Sequence, residues 1–319
     1  MLKKAKIKCG IKMVENLMDS PFYHVVQCSN VSAVLVWNRQ KDKHTDLCET
    51  DWSNYVLVVE RELTSSPDQC GSVWDSICQM DGETSRVRFN RIRPERIMEW
   101  CSSSDAHLLK DRVDGVTILK DTDAVNETIQ QHFHKAKQEA ASLELLSEFA
   151  CWLQMTRQSR RLLQQGMPLD AYHKLEEAFC YWARIVVLEH GEKPELAIWQ
   201  QVKSHHLGIY KMYEELSCST ETLAQRVELA LLACEFSLTS KAKQYCEPLL
   251  SWLRNEQLVV SLIDIQQHFN YKNLHDNLPV LLHKLVKRGY LQERLVEADA
   301  DRLKCGLVPV YSWIDQDEA

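Results

Sequence analysis

Nine glycines serve 319 residues, and no two of them stand within ten positions of each other. A loop that cradles phosphates needs close glycines, because only a backbone free of Cβ atoms can approach the oxygens and turn sharply enough. G-x-G-x-x-G, the Walker A loop and the G-x-S-x-G elbow therefore cannot be written anywhere in this chain. Ordinary dinucleotide-binding Rossmann enzymes, P-loop NTPases and α/β-hydrolases are excluded. The length suits two domains, or three smaller ones.

The formal net charge is −7 with a pI near 6.0. Any nucleic-acid binding would have to come from a local patch, not from the field of the whole molecule. Lys3, Lys4, Lys6, Lys8 and Lys12 make the first residues basic, but no apolar run of signal-peptide length follows them. No stretch approaches the roughly 18 apolar residues of a membrane span, so no membrane partner is expected. Twelve cysteines are spread from Cys9 to Cys305 without a C-x-x-C pair. That scatter predicts reduced, mostly buried thiols in a cytoplasmic protein.

Periodicity divides the chain in three. Ala33-Val34-Leu35-Val36-Trp37 and Tyr55-Val56-Leu57-Val58-Val59 are short continuous apolar runs, as strands buried on both faces require. Residues 86–92 alternate with period two, Pro94 opens a short helix at 95–100, and Gly115-Val116-Thr117-Ile118-Leu119 reads as a last strand. From Asp121 the spacing becomes helical. Leu143, Leu146, Ala150 and Leu153 form one stripe, and Leu175, Ala178, Phe179, Trp182, Ile185 and Val186 a second, stopped by Gly191. Residues 209–216 make a third helix. Leu223, Val227, Leu231, Cys234 and Leu238 make a fourth, capped by Ser219 or Thr220. Short loops between them predict an antiparallel bundle. Beyond Pro248 the order is helix (249–253), helix (262–269), helix (278–286, stopped by Gly289) and two strands (290–296 and 307–313), the sequence of a winged helix-turn-helix.

Several stretches carry a resemblance: Asp170-Ala171-Tyr172, residues 183–191 (ARIVVLEHG), Ile198-Trp199-Gln200-Gln201-Val202 and residues 209–216 (IYKMYEEL), with Ile97-Met98-Glu99-Trp100 and residues 115–121 (GVTILKD) before them. In these the chain resembles the bacterial nucleotidyltransferase-like family. Those proteins join a polymerase-β-type nucleotidyltransferase domain, a helical bundle of the substrate-binding type and a C-terminal winged helix-turn-helix. The resemblance implies an α+β fold. Its parts would be a small mixed sheet domain at 1–121, a helical bundle at 122–247 and a winged helix at 248–319.

It also implies a test. In that superfamily a Gly-Ser turn after the first strand holds the nucleotide phosphates. Two aspartates two apart on the next strand, and a third carboxylate on a later one, hold two divalent metals. Carboxylates are needed because the metals lie about 3.5–4 Å apart and must be bridged by negative charge. Here Asn38-Arg39-Gln40 follows the first run, Asn54 stands where an acid is expected, and Val87, Arg88, Phe89 and Asn90 supply none. Asp46, Asp51 and Glu60 are the acids from which a shifted metal site could be assembled.

Other motifs have plainer readings. Arg184 and His190 have the spacing of a helical-nuclease pair, yet six steps at 100° put them about 240° apart on a helix. A histidine in a last turn is accounted for by the helix dipole. His132 with His134, and His205 with His206, lack a third ligand at a recognisable spacing. Trp152, Trp182 and Trp252 fall on apolar stripes and read as core. In the last segment Lys272, Asn277, Lys284, Lys287 and Arg288 could meet nucleic acid. From Ser251 onward, however, eight basic residues face ten acidic ones.

The expected function is a catalytically degenerate nucleotidyltransferase-like protein that binds a nucleotide or a protein partner in the cleft between sheet domain and bundle. Two alternatives stand beside it. One is an active nucleotidyltransferase using magnesium at a rearranged Asp46, Asp51 and Glu60 site. The other is a regulator that binds DNA through its winged helix.

Overall fold

The computed structural model describes residues 22–38, 54–61, 72–80, 83–103, 106, 109, 115–255, 259–297 and 307–314. The chain divides into two compact units, residues 1–138 and 139–319.

The first unit is built on a five-stranded sheet in the order β3-β4-β2-β1-β5. The strands are β1 (Val31–Asn38), β2 (Asn54–Glu60), β3 (Ser72–Met80), β4 (Glu83–Ile92) and β5 (Val116–Asp121). β2 and β4 run parallel and the other neighbours antiparallel. Every residue of β2 is buried, as its unbroken apolar run demands of a central strand covered on both faces. On one face Leu35, Trp37, Tyr55 and Leu57 pack against Trp100 of α2 (Ile97–Cys101) and Phe133 of α3 (Val125–Gln164). On the other face Val34, Val36, Val56, Val58, Val87 and Phe89 pack against Phe22, just ahead of α1 (Tyr23–Gln27). The strands expected at 33–37, 55–59, 86–92 and 115–119 are all present, and Pro94 opens a single 3₁₀ turn ahead of α2. Strand β3 was not expected. It is an edge strand whose Val73 and Ile77 are exposed, so it carries no buried apolar run.

Asp121 ends the sheet and starts the helices. Its two carboxylate oxygens accept from the backbone N–H of Val125 (2.8 Å) and Asn126 (2.9 Å), satisfying donors that the first turn of α3 leaves open. The early turns of this 40-residue helix bury Val125, Ile129 and Phe133 in the sheet's core, and its later ones belong to the second unit.

The second unit continues with α4 (Pro168–Glu189), α5 (Ile198–His205), α6 (Leu207–Cys218), α7 (Leu223–Tyr245) and α8 (Glu247–Asn255). After them come β6 (Val260–Ser261), α9 (Leu262–His268), α10 (Leu274–Lys287), β7 (Leu291–Glu297) and β8 (Leu307–Trp313). The last three strands form an antiparallel sheet in the order β6-β8-β7. The bundle core includes each predicted stripe, with Trp152 and Trp182 stacked at 4.6 Å between centroids. The cap of α7 differs from expectation. Thr222, not Ser219 or Thr220, forms a capping box with Gln225, because only Thr222 has a long amide three residues on to return the bond. Gly191 stops α4 with φ +73°, and Glu192 N–H reaches back to Val187 C=O at 3.3 Å. That left-handed closure favours glycine. Among the described residues no helix is long and apolar enough to cross a membrane.

Candidate functional site

The register of β2 and β4 shows what shares a sheet face with Asn54, where the resemblance leads one to expect an acid. Side chains two apart on a strand share a face, so Asn54 and Val56 point the same way. Their partners in the parallel pairing are Val87 and Phe89. The four positions thus present one amide and three apolar groups. Val56, Val87 and Phe89 lie in a closed apolar layer that Phe22 completes, its ring 5.7 Å from that of Phe89. One amide oxygen supplies no charge with which to bridge two divalent ions.

Glu60 lies on this same face at the end of β2. It is buried, and its carboxylate sits 3.0 Å from Arg91 Nε. Asp46 and Asp51, the other two acids of the expected remnant site, lie outside the described residues. Among the described residues no group of three or more His, Cys, Asp or Glu side chains is arranged to hold a metal ion.

On the opposite face Asn90 is committed to the core. Its Nδ2 donates to the Tyr55 hydroxyl at 3.0 Å, and Trp100 Nε1 donates to the same oxygen at 2.9 Å. All three side chains are buried.

The residues considered for nucleic acid are held largely by the bundle. Lys272 Nζ donates to Glu144 at 2.8 Å. Asn277 Nδ2 donates to Asn273 C=O at 2.8 Å and lies 3.4 Å from Cys151 Sγ. Lys284 Nζ reaches Thr239 Oγ1 of α7 at 3.4 Å, and burial together with the charge of Arg288 holds its ammonium below the usual lysine range. Lys287 and Arg288 are exposed. Lys284 and Lys287 line a groove of about 410 Å³ together with Arg157 and Arg160 of α3. These two arginines were not singled out from the sequence. Their signal was the i, i+3 cationic spacing on a long helix, which looks the same as an ordinary wet face.

His190, His205 and His206 take structural places. His190 Nδ1 lies 2.8 Å from Val186 C=O, closing the end of α4, and its ring stacks on His205 at 4.0 Å. His206 caps α6 by accepting from Ile209 N–H. Arg184 lies over the Tyr181 ring, with Nη1 3.6 Å from Glu148, so its partners are not those of His190. Burial pushes the Cys151 thiol up to about 11 and the Cys234 thiol up to about 12. At neutral pH both stay protonated, which makes them poor nucleophiles.

Residues 142–241 match the family described as the YgxA-like substrate binding domain. Over 284 residues the chain is 24% identical to the Bacillus subtilis (strain 168) protein named "Uncharacterized protein YgxA", covering 89% of this chain and 93% of that one. The fold is similar to that of a solved nucleotidyltransferase-like protein from Exiguobacterium sibiricum 255-15, with a TM-score of 0.53 and 21% identity over 92% of this chain and 97% of the other. At that identity the likeness is one of fold alone.

Proposed function

We propose that this protein keeps a nucleotidyltransferase-like fold without metal-dependent transfer, and acts by binding a nucleotide or a nucleotide-like small molecule through its helical unit. The observation that carries the reading is the apolar filling of the sheet face. Where two bridged magnesium ions would sit, Asn54, Val56, Val87 and Phe89 offer a single neutral oxygen. Removing a bridging carboxylate from a two-metal site removes the charge that stabilises attacking and leaving oxygens alike. The binding half of the reading is supported by the substrate-binding-type match over 142–241.

We read the last six elements as a winged helix, on the helix-helix-helix-hairpin order and the β6-β8-β7 pairing. Its third helix is tied to the bundle by Asn277 and Lys284, and the residues just before it by Lys272, which suits a packing role better than insertion into a DNA groove.

The test is turnover of each of the four labelled NTPs with magnesium or manganese, across small-molecule, protein and nucleic-acid acceptors. No transfer is the expected result. Transfer that is lost in Asp51→Ala would overturn the proposal in favour of a working enzyme.

A further inference from the structure

Three helices of the second unit each turn one stripe toward the same groove. Leu153, Thr156, Arg157 and Arg160 come from α3, Glu235, Leu238 and Thr239 from α7, and Val280, His283, Lys284 and Lys287 from α10. Each set follows i, i+3, i+4 spacing, so each is a single helix face. Its volume of about 410 Å³ lies within the roughly 300–1,000 Å³ common for small-molecule sites. Leu153, Leu238 and Val280 make an apolar floor, and the polar groups stand around it.

The charge of the groove is opposite to that of the chain. Arg157, Arg160, Lys284 and Lys287 face the lining carboxylate of Glu235, and with Glu228 also paired to Arg160 a local excess of two positive charges remains in a protein of net charge −7. Arg160 is held in place. Its Nε and Nη2 donate to Glu235 at 2.8 and 3.0 Å, and its Nη1 donates to Glu228 at 2.6 Å. A guanidinium carries five N–H donors, so two remain for a ligand while the fork fixes the plane. Arg157 and Lys287 are exposed, and among the described residues neither forms an ion pair. Lys284 already suffers from burial and from the neighbouring charges of Arg288 and Lys287, a repulsion that an anion between them would relieve.

We infer that this groove binds a small molecule carrying a di- or triphosphate, with the phosphates between Arg157, Arg160, Lys284 and Lys287 and the apolar part on Leu153, Leu238 and Val280. A chain of phosphates offers these four side chains more acceptor oxygens than a single phosphate does, so each cation can take its own partner. Arginine suits this task because its planar fork meets phosphate oxygens in pairs. Because α10 supplies one wall and α3 and α7 the others, the ligand would also fasten the C-terminal elements to the bundle. The assignment rests on the binding reading proposed above and gives it a place.

The test is titration of the full chain with ATP and with inorganic tripolyphosphate, without magnesium, by calorimetry and by thermal shift. Sodium sulfate at matched ionic strength is the control. The double variant Arg157→Ala, Lys287→Ala alters two exposed side chains, so it should fold, and circular dichroism verifies this. Binding of ATP and tripolyphosphate that weakens tenfold or more in the double variant supports the inference. Binding unchanged in the variant, equal stabilisation by sulfate, or no binding at millimolar ligand would each overturn it. Loss of duplex DNA binding in the variant, with no nucleotide binding in the parent, would also overturn it and point to nucleic acid. None of these failures concerns transfer, which is read separately from NTP turnover.

Discussion

The Nδ2 of Asn90 donates to the hydroxyl of Tyr55 at 3.0 Å, across the parallel pairing of β4 and β2. Trp100 donates to the same oxygen, so one phenol oxygen satisfies two donors inside the helix-covered core. Tyr55→Phe keeps the ring and leaves both donors buried without that acceptor. An orphaned buried donor costs about 1–3 kcal/mol, so urea unfolding of Tyr55→Phe should show a loss of at least that size. A loss below about 0.5 kcal/mol would mean that the phenol oxygen is not an obligatory acceptor.

The sheet was legible in the sequence wherever burial wrote it. Residues 33–37 and 55–59 must be apolar throughout because β1 and β2 are covered on both faces, and a strand of that kind has few other readings. Edge strand β3 was missed for the opposite reason, since Val73, Asp75 and Ile77 on one exposed face carry no burial signal. The helical stripes were read well, and the cap of α7 less well, because the Thr222-to-Gln225 spacing that marks a capping box was passed over for Ser219 and Thr220. Loss of the acidic pattern at Asn54 was visible in the sequence. That Val56, Val87 and Phe89 share its face became visible only once β2 and β4 were in register. The groove was not legible at all, because its walls come from residues about 80 and 45 apart that only the packing of α3, α7 and α10 brings together.

Glu235 competes with any anion for Arg160. Glu235→Gln keeps one acceptor oxygen but removes the charge, so tripolyphosphate should bind severalfold more tightly. The stability cost should stay small, at most about 1 kcal/mol, because the pair is partly exposed and screened by water. Calorimetry beside thermal unfolding checks both halves, and weaker binding in this variant would count against the groove as an anion site.

Glu148 gives a pH signature. Burial raises its carboxyl above the usual glutamate range, outweighing the attraction of Arg184, whose Nη1 at 3.6 Å is too distant for a hydrogen bond. The folded state then takes up this proton at a higher pH than the unfolded chain does. Through the window between the ordinary and the raised value, stability contributed by this group therefore falls as pH rises. Glu148→Gln should be more stable than the parent at neutral pH, with the difference shrinking as pH drops into the ordinary glutamate range. Melting curves at a series of pH values read this directly, and a difference independent of pH would contradict the burial account.

Pro279 sits inside α10 and has no N–H to donate to His275 C=O one turn earlier. Gln266 of α9 supplies the missing donor, its Nε2 lying 3.2 Å from that carbonyl. The side chain of one helix thus repairs the ladder of the next, and helps fix the angle at which α9 and α10 meet. Gln266→Ala should cost about 0.5–1.5 kcal/mol, the usual net worth of such a bond. Pro279→Ala restores a backbone donor to the same carbonyl, so Gln266→Ala should cost less in that background. The double-mutant cycle measures the coupling. If the two substitutions are additive in urea unfolding, the carbonyl of His275 draws nothing from Gln266, and the junction of α9 and α10 is set by the leucines of α10 alone.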